Sequence, residues 1–419
     1  MIIMKTILML MILFPMITFG QSKENLKLAN KLFKEGKFEE SNSYFSNVIM
    51  DDPKNFTAYT YLGYIALLSN NSEAAEKNLL FASKLKPQNP TINWMLAELY
   101  YRENKYKEAI PYFVRIRKTS MVNKLNSLQN FKPYEVISQS FKTTIKFLTT
   151  DPLPVIQVRL SNDEIINLFI DTGGGEVILD ESFLKKLNLP VYGTDKGSFA
   201  GGKKGKIYHS KLDSLVIGEF TIKNFPIQLM DISQPLKQYF KDIPISGVIG
   251  TNLLYQFIST IDYLNGQLVL KQKNQDSLIS QNGQKYSLPI YLAPDHYMLA
   301  HGTINNSDSM LFFIDTGLIG GGFTCPKSTL KIANIKPDKS KQSDGTGGGG
   351  KVISIPFQIN KLSLGTVEQH NLTGLYLGNF PVENAFGFRI GGLISHDYFR
   401  KYSVTFDFSR MTCYFESNK

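Results

Sequence analysis

A chain of 419 residues is longer than a typical single domain, so two or three folded units are expected, each able to bury a core. Hydrophobic residues make up 42% and charged residues 20%, a composition that excludes a largely disordered protein. The net charge of +10 is spread along the sequence instead of forming a basic stripe, so no nucleic-acid partner is expected.

The first twenty residues, "MIIMKTILMLMILFPMITFG", combine an early positive charge with an apolar run. Lys5 precedes the run from Ile7 to Ile17, and Gly20 stands just before polar residues. This order predicts a cleavable secretory signal over residues 1–20. The run is short for a span of about 20 residues, so a retained anchor is the weaker alternative. We expect an exported chain, periplasmic or extracellular, with no stable membrane span in its mature form.

Residues 21–120 have helical patterning with a period of 34 residues. The pattern resembles the tetratricopeptide repeat, in which two-helix units cross closely at small residues. This resemblance implies an all-α solenoid of about three units, which either offers a surface to a protein partner or packs against the domain that follows. Small residues, bulky residues and prolines carry the period: Ala29, Gly63 and Ala97; Ser41, Ala75 and Ala109; Phe45, Leu79 and Phe113; Pro53 and Pro87.

Residues 121–140 have no clear period and are interpreted as a connector. Short alternating strands follow, and they occur twice, over residues 141–275 and 285–419. The clearest duplicated segments are "FIDTGGGEVILD" from Phe169 and "FIDTGLIGGGFT" from Phe313. Four shorter segments recur in the same order, which indicates an internal duplication of one β-unit: "GKI" and "GKV", "LVIG" and "LSLG", "GVI" and "GLI", "TID" and "TFD".

Each unit resembles a lobe of the retropepsin-like aspartic proteases. The resemblance is carried by an apolar strand that runs into Asp-Thr-Gly, a glycine-rich hairpin, and a late apolar strand before a short helix. It implies an all-β bilobal fold in which each lobe contributes one aspartate, here within a single chain as in pepsins. A lobe that pairs with the same lobe of another molecule is the weaker alternative, because the two copies are in tandem.

Asp171 and Asp315 are the predicted catalytic pair. Two carboxylates in a shielded site share one proton, so one can activate water while the other protonates a peptide carbonyl. The resemblance implies that Thr172 and Thr316 form hydrogen bonds across the lobe interface. It also implies that the backbone turns tightly beside the aspartates at two glycines, Gly173 and Gly317.

Two glycine-rich segments, "FAGGKKGK" and "GTGGGGK", are predicted to be flaps that close over a peptide. The flap residues expected at the substrate are Gly201, Gly202, Gly347 and Gly348. The alternative is that each segment is only a flexible loop.

Three positions depart from the pepsin pattern. Gly174 and Leu318 stand where pepsins place a hydroxyl residue after Asp-Thr-Gly, and fewer hydrogen bonds to the charged aspartate predict higher pKa values and a less acidic pH optimum. Ser395 replaces the expected equivalent of Gly250, which puts the symmetry of the lobes in doubt. Ser395, His396 and Asp397 look like a hydrolase triad, but adjacent residues rarely converge, so this interpretation is set aside.

Neither a metal nor an organic cofactor is expected. Cys325 and Cys413 lack the spacing of zinc ligands, and they are either paired with each other or buried as free thiols. The sequence thus predicts a secreted aspartic endopeptidase acting on protein or peptide substrates. The alternative is a non-catalytic peptide-binding or scaffolding protein with a degenerate cleft.

Overall fold

The computed structural model describes residues 21–198, 204–232, 236–240, 242–273, 284–347 and 350–417. The predicted secretory signal and the predicted flap residues Gly201, Gly202 and Gly348 lie outside these ranges. Within them, no helix has the length and hydropathy that crossing a bilayer requires.

Helices occupy the first part of the described chain. Asparagine caps explain where three of them begin, because Asn55, Asn71 and Asn89 each accept a hydrogen bond from a backbone amide of the first turn. The helices are α1 (residues 21–34), α2 (Phe38–Asp51), α3 (Phe56–Leu68), α4 (Ser72–Leu85), α5 (Pro90–Arg102), α6 (Tyr106–Arg115) and α7 (Thr119–Leu128).

The small residues of the repeat mark close helix crossings, as expected. A Cβ atom at Gly63 would lie 2.6 Å from Leu79 Cγ on the next helix, so only glycine fits there. Ala75 and Ala109 are fully buried. The helical patterning of the sequence therefore corresponds to a packed array.

The segment predicted to be an irregular connector contains a helix and a short strand. In α7, Leu125 and Leu128 are buried, and so is Lys124. A buried lysine breaks the apolar period, which is why the helix is not evident from the sequence. Strand β1 (Glu135–Ile137) then pairs with the first lobe.

Two lobes of strands follow. The first contains β2 (Lys142–Lys146), β3 (Val155–Leu160), β4 (Ile165–Ile170), β5 (Val177–Asp180), α8 (Phe183–Lys186), β6 (Gly193–Ser198), β7 (Lys204–Ile217), β8 (Phe220–Met230), β9 (Gly247–Ile249), α9 (Thr251–Tyr255), β10 (Phe257–Asp262) and β11 (Gln267–Gln272). The second contains β12 (Gln284–Leu292), β13 (Met298–Ile304), β14 (Met310–Asp315), β15 (Phe323–Thr324), α10 (Lys327–Ile332), β16 (Ser343–Gly347), β17 (Gly350–Leu364), β18 (Val367–Tyr376), β19 (Ile390–Ser395), α11 (His396–Phe399), β20 (Ser403–Asp407) and β21 (Thr412–Ser417).

Most strand pairings of the first lobe have a counterpart in the second. Strand β4 pairs in parallel with β9, and β14 pairs in parallel with β19. The hairpin of β6 and β7 corresponds to that of β16 and β17. The internal duplication predicted from the sequence is thus present in the topology, and the fold is an all-α array followed by an all-β bilobal unit.

The lobes are joined by one continuous sheet with the strand order β12-β21-β20-β10-β11-β2. Its centre is the antiparallel pair of β10 and β20, where Thr260 and Thr405 share a hydrogen bond of 2.8 Å between their hydroxyls. Equivalent strands from the two lobes therefore meet at a pseudo-two-fold axis.

The helices share a hydrophobic core with the second lobe. Phe33 and Phe38 contact the ring of Phe388, with centroid distances of 5.7 and 4.9 Å. Leu311 of β14 belongs to the same cluster and packs against Gly36, which has a φ of 78°. The helical array is thus a packing surface for the second lobe, one of the two roles expected from the sequence.

Candidate active site

The two Asp-Thr-Gly segments meet at the boundary between the lobes. Asp171 directly follows β4, and Asp315 is the last residue of β14. A Cβ atom at Gly173 would lie 2.6 Å from Asp315 Oδ1, and one at Gly317 would overlap the carboxyl of Asp171. Each glycine therefore lies against the aspartate of the opposite lobe, and this close approach requires a residue without a side chain.

Each carboxylate is held by its own loop. The amide of Gly173 donates to Asp171 Oδ1 at 2.7 Å, and the amide of Gly317 donates to Asp315 Oδ1 at 3.0 Å. Burial raises the pKa of Asp171. Burial and the charge of Asp171 raise the pKa of Asp315 well above its usual range. The pair is thus arranged to hold one proton between two carboxyls.

The threonines of the two loops form a reciprocal pair. The amide of Thr172 donates to Thr316 Oγ1, and the amide of Thr316 donates to Thr172 Oγ1. Thr172 Oγ1 donates in turn to the carbonyl of Ile314 at 2.8 Å. Both threonines are buried, so these hydrogen bonds fix the two loops relative to each other.

Ser395 and Gly250 have nearly the same backbone conformation, with φ of −84° at both and ψ of 169° and 174°. In the first lobe a Cβ atom at Gly250 would overlap the carbonyls of Gly175 and Glu176. In the second lobe a side chain fits, and Ser395 Oγ donates to the carbonyl of Gly321. The doubt that the sequence raised about lobe symmetry therefore concerns one side chain and leaves the backbone equivalent.

Ser395, His396 and Asp397 do not form a relay: His396 Nε2 lies 3.2 Å from Asp397 Oδ1, but the hydroxyl of Ser395 donates to Gly321 and not to the histidine. Ser395 Oγ accepts from the amide of Asp397, while His396 Nδ1 lies 3.1 Å from the carbonyl of Leu318. The serine and the histidine thus contact backbone carbonyls of the loop after Asp315.

Only the bases of the predicted flaps are described. In the first lobe Ser198 pairs with Lys204, and in the second Gly347 pairs with Gly350. Both hairpins are therefore in place, while their tips, with Gly201, Gly202 and Gly348, lie outside the described residues.

A turn between β12 and β13 brings two further residues to the dyad, and sequence reasoning missed both. Asp295 lies against the loop that follows Asp171, since a Cβ atom at Gly175 would be 3.5 Å from Asp295 Cβ. Desolvation by the elements packed around the turn, together with the charges of Glu98 and Glu176, raises the pKa of Asp295 to about 7, although the residue keeps exposed surface. Burial also raises the pKa of Tyr297, with contributions from Asp295 and from both aspartates of the dyad. The sequence offered one signal for this turn, the acidic residue Asp295 directly after a proline.

A buried ion pair connects α7 to the loop that follows Asp171. Lys124 Nζ lies 2.6 and 2.9 Å from the two carboxylate oxygens of Glu176, with the side chains 0% and 6% exposed. The hydroxyl of Tyr101, on α5, donates to Glu176 Oε1. Lys124 Nζ is also 3.1 Å from His209 Nδ1, and His209 Nε2 is 3.0 Å from Asp195 Oδ2. Both histidine contacts lie at the base of the first flap.

The contacts of this network shift the pKa values of Glu176 and His209. Burial alone would raise the pKa of Glu176, but the charge of Lys124 holds it below its usual range. Burial and the same lysine lower the pKa of His209. A neutral His209 accepts from Lys124 at Nδ1 and donates to Asp195 at Nε2.

A second buried cation holds the helical array to the second lobe. Arg102 is 1% exposed and donates to the carbonyls of Leu67, Leu292 and Ala293, while it also pairs with Glu98 at 3.2 Å. Leu292 and Ala293 directly precede the turn that carries Asp295.

Beside this contact, a groove of about 680 Å³ remains open between the array and the second lobe. Tyr61 and Trp94 line its helical side, and Phe386 lines the side of the lobe. Phe386 contacts Tyr297 at a centroid distance of 5.9 Å, so one ring separates the groove from the turn beside the dyad. Charged side chains are absent from its described lining, which suits an uncharged apolar segment.

The remaining polar candidates are structural. Asp262 accepts from the side chains of Asn265 and Gln267, and Asp407 accepts from Arg410. Cys325 and Cys413 are free and buried. Among the described residues, no three His, Cys, Asp or Glu side chains are grouped to bind a metal ion.

Comparisons with known families agree with this architecture. A tetratricopeptide repeat model matches residues 26–79, and a model of YpiA-like tetratricopeptide repeats matches residues 69–121. An aspartyl protease model matches residues 156–253, from β3 to α9 of the first lobe. No curated protein matches the chain.

Proposed function

We propose that this chain, in which tetratricopeptide repeats precede a retropepsin-like aspartyl protease domain, is an exported aspartic endopeptidase. The observation that carries the proposal is the mutual approach of the two Asp-Thr-Gly loops, in which Gly173 and Gly317 each lie against the opposite aspartate. A protein that merely binds peptides has no need of two carboxyls in this arrangement.

In the proposed reaction, Asp171 and Asp315 share one proton and hold a water molecule between them. The ionised carboxylate takes a proton from the water, which attacks the carbonyl carbon of the peptide bond. The protonated carboxyl donates its proton to the carbonyl oxygen, which gives a neutral tetrahedral diol. The carboxyl that received the water proton then protonates the leaving nitrogen, while the ionised carboxylate takes a proton from one hydroxyl of the diol. The C–N bond breaks, and the pair again holds one proton.

The substrate class that we propose is an extended polypeptide. The hairpins of β6 with β7 and of β16 with β17 are the proposed flaps over the dyad, and strand-like binding beneath them would use backbone hydrogen bonds that any sequence can form. The open groove beside Tyr297 is proposed to hold an apolar segment of the same polypeptide beyond the cleft.

Purified protein incubated with an unfolded polypeptide from pH 3 to 8 tests the proposal, with products identified by mass spectrometry. We expect defined internal cleavages that are lost in both Asp171→Asn and Asp315→Asn. If the folded parent cleaves nothing at any pH, the non-catalytic binding role replaces the proposal.

Export rests on residues 1–20 alone. N-terminal sequencing of the protein recovered from fractionated cells should give a chain that begins near Gln21 outside the cytoplasm. A chain recovered in the cytoplasm with Met1 intact would contradict it.

A further inference from the structure

The loops that follow Asp171 and Asp315 differ in the residues that contact them. In the second lobe the loop after Asp315 is held by residues of its own lobe. The amide of Ser395 donates to the carbonyl of Gly322, and Ser395 Oγ donates to the carbonyl of Gly321. His396 lies against the carbonyl of Leu318. The described hydrogen bonds of this loop involve no residue of the helical array.

The first loop is also held by residues of its own lobe. The amide of Thr251 donates to the carbonyl of Gly174, and the amide of Asn252 donates to the carbonyl of Gly175, both at 2.8 Å. Gly250 stands where Ser395 stands in the second lobe, and the loop passes too close for a side chain there. The first lobe thus has no hydroxyl at this position, and the hydroxyl of the next residue, Thr251, donates instead to the carbonyl of Thr172 at 3.1 Å.

The helical section adds a further contact to the first loop, and the described hydrogen bonds of the second loop include no equivalent contact. Glu176 lies five residues after Asp171. Its carboxylate accepts hydrogen bonds from the ammonium group of Lys124 on α7 and from the hydroxyl of Tyr101 on α5. Both Lys124 and Glu176 are buried, so separating them would leave an uncompensated charge in the interior. This cost keeps Glu176 against α7.

We propose that Lys124 and Tyr101 are positioning residues, through which the helical section holds the loop of Asp171 in register with Asp315. The repeats are then part of the catalytic unit as well as a surface for partners. This inference rests on the proposed protease function for its kinetic test. The displacement it prevents is small, but a shift of about 1 Å in a catalytic group can cost about 100-fold in rate.

The test compares Tyr101→Phe and the double variant Lys124→Met/Glu176→Gln with the parent. The double variant removes both charges, which avoids the unfolding expected from a single buried charge. Lys105→Met is the control, because Lys105 forms an exposed pair with Glu103 on the same array. Cooperative thermal unfolding confirms that each variant is folded, and if the double variant is not, Tyr101→Phe decides.

We expect kcat to fall about tenfold or more in the double variant and about threefold or more in Tyr101→Phe, with KM unchanged, because the substrate cleft is intact while the dyad is misaligned. Lys105→Met should match the parent. A folded variant whose kcat stays within about twofold of the parent would overturn the proposal.

Amide hydrogen exchange provides a second readout that does not depend on activity. In the double variant, exchange should become faster at residues 171–176 and stay unchanged at residues 315–320. Equal changes in both loops would indicate general destabilisation and refute a positioning role. If the parent itself cleaves nothing, the proposed function fails, and the exchange measurement alone decides the inference.

Discussion

Thr172 and Thr316 exchange hydrogen bonds across the boundary between the lobes, with both amide-to-hydroxyl distances equal to 3.0 Å. Replacing Thr172 by Val keeps the shape of the side chain but leaves the buried amide of Thr316 and the carbonyl of Ile314 without their partner. We expect the free energy of unfolding to fall by about 1–3 kcal/mol for each orphaned group. Denaturant unfolding measures this, with Thr172→Ser as the control that retains the hydroxyl. Equal stability of the Val and Ser variants would contradict the assignment.

Gly317→Ala should abolish cleavage, because the added Cβ atom would overlap the carboxyl of Asp171 and push the two loops apart. Gly322→Ala is the matched control in the same loop, since its Cβ atom would have ordinary contacts of 3.5 Å or more with Leu372. Steady-state kinetics on both variants would show a loss of kcat only for the first. Comparable activity in the two variants would mean that the loops are not in contact in the active protein.

The sequence predicts the duplicated lobes and the dyad because both depend on local patterns. An apolar strand that ends in Asp-Thr-Gly specifies a buried strand and a tight turn within one short segment, and its second occurrence identifies the partner. The repeat period likewise follows from small residues at helix crossings, such as Gly63 against Leu79.

The contacts around Glu176 could not be predicted from such local patterns. Lys124, Glu176 and His209 are far apart in sequence, and each is an ordinary surface residue until the fold buries them together. Sequence reasoning treated the segment of Lys124 as a connector for this reason. Only the packing of α7 on the first lobe turns its lysine into a partner of the catalytic loop.

The raised pKa of Asp315 makes stability depend on pH. A carboxyl whose folded pKa exceeds its unfolded value of about 3.9 favours the folded state below that value, and the advantage is lost as pH rises through the folded pKa. Asp315→Asn removes this loss, so its Tm should exceed that of the parent at pH 8 and approach it near pH 4. Asp338→Asn should give no such gain, because neighbouring Ser340 lowers the pKa of Asp338. A parent more stable than Asp315→Asn at pH 8 would refute the argument.

Gly174→Ser tests why the dyad is expected to work at less acidic pH than pepsins. A Cβ atom at Gly174 would lie 3.9 Å from Asp171 Oδ2 with no closer contact than 3.6 Å, so a hydroxyl there has room to reach the carboxylate. A hydrogen bond to the charged form lowers the pKa of Asp171, and the acidic limb of the kcat/KM profile should shift to lower pH. Gly174→Ala, which adds no hydroxyl, should leave the limb in place. A parent with maximal activity near pH 2 would contradict the expectation.

Trp94→Ala tests whether the groove between the array and the second lobe holds part of the substrate. The indole lines the groove, whereas Val114 on α6 is 55% exposed and lies outside its described lining. Truncating Trp94 should raise KM for a long unfolded polypeptide and leave KM for a short peptide that fills only the cleft unchanged, because only the long chain reaches past Tyr297. Val114→Ala should alter neither constant. An equal effect of Trp94→Ala on both substrates would place its role in the stability of the array instead of in substrate binding.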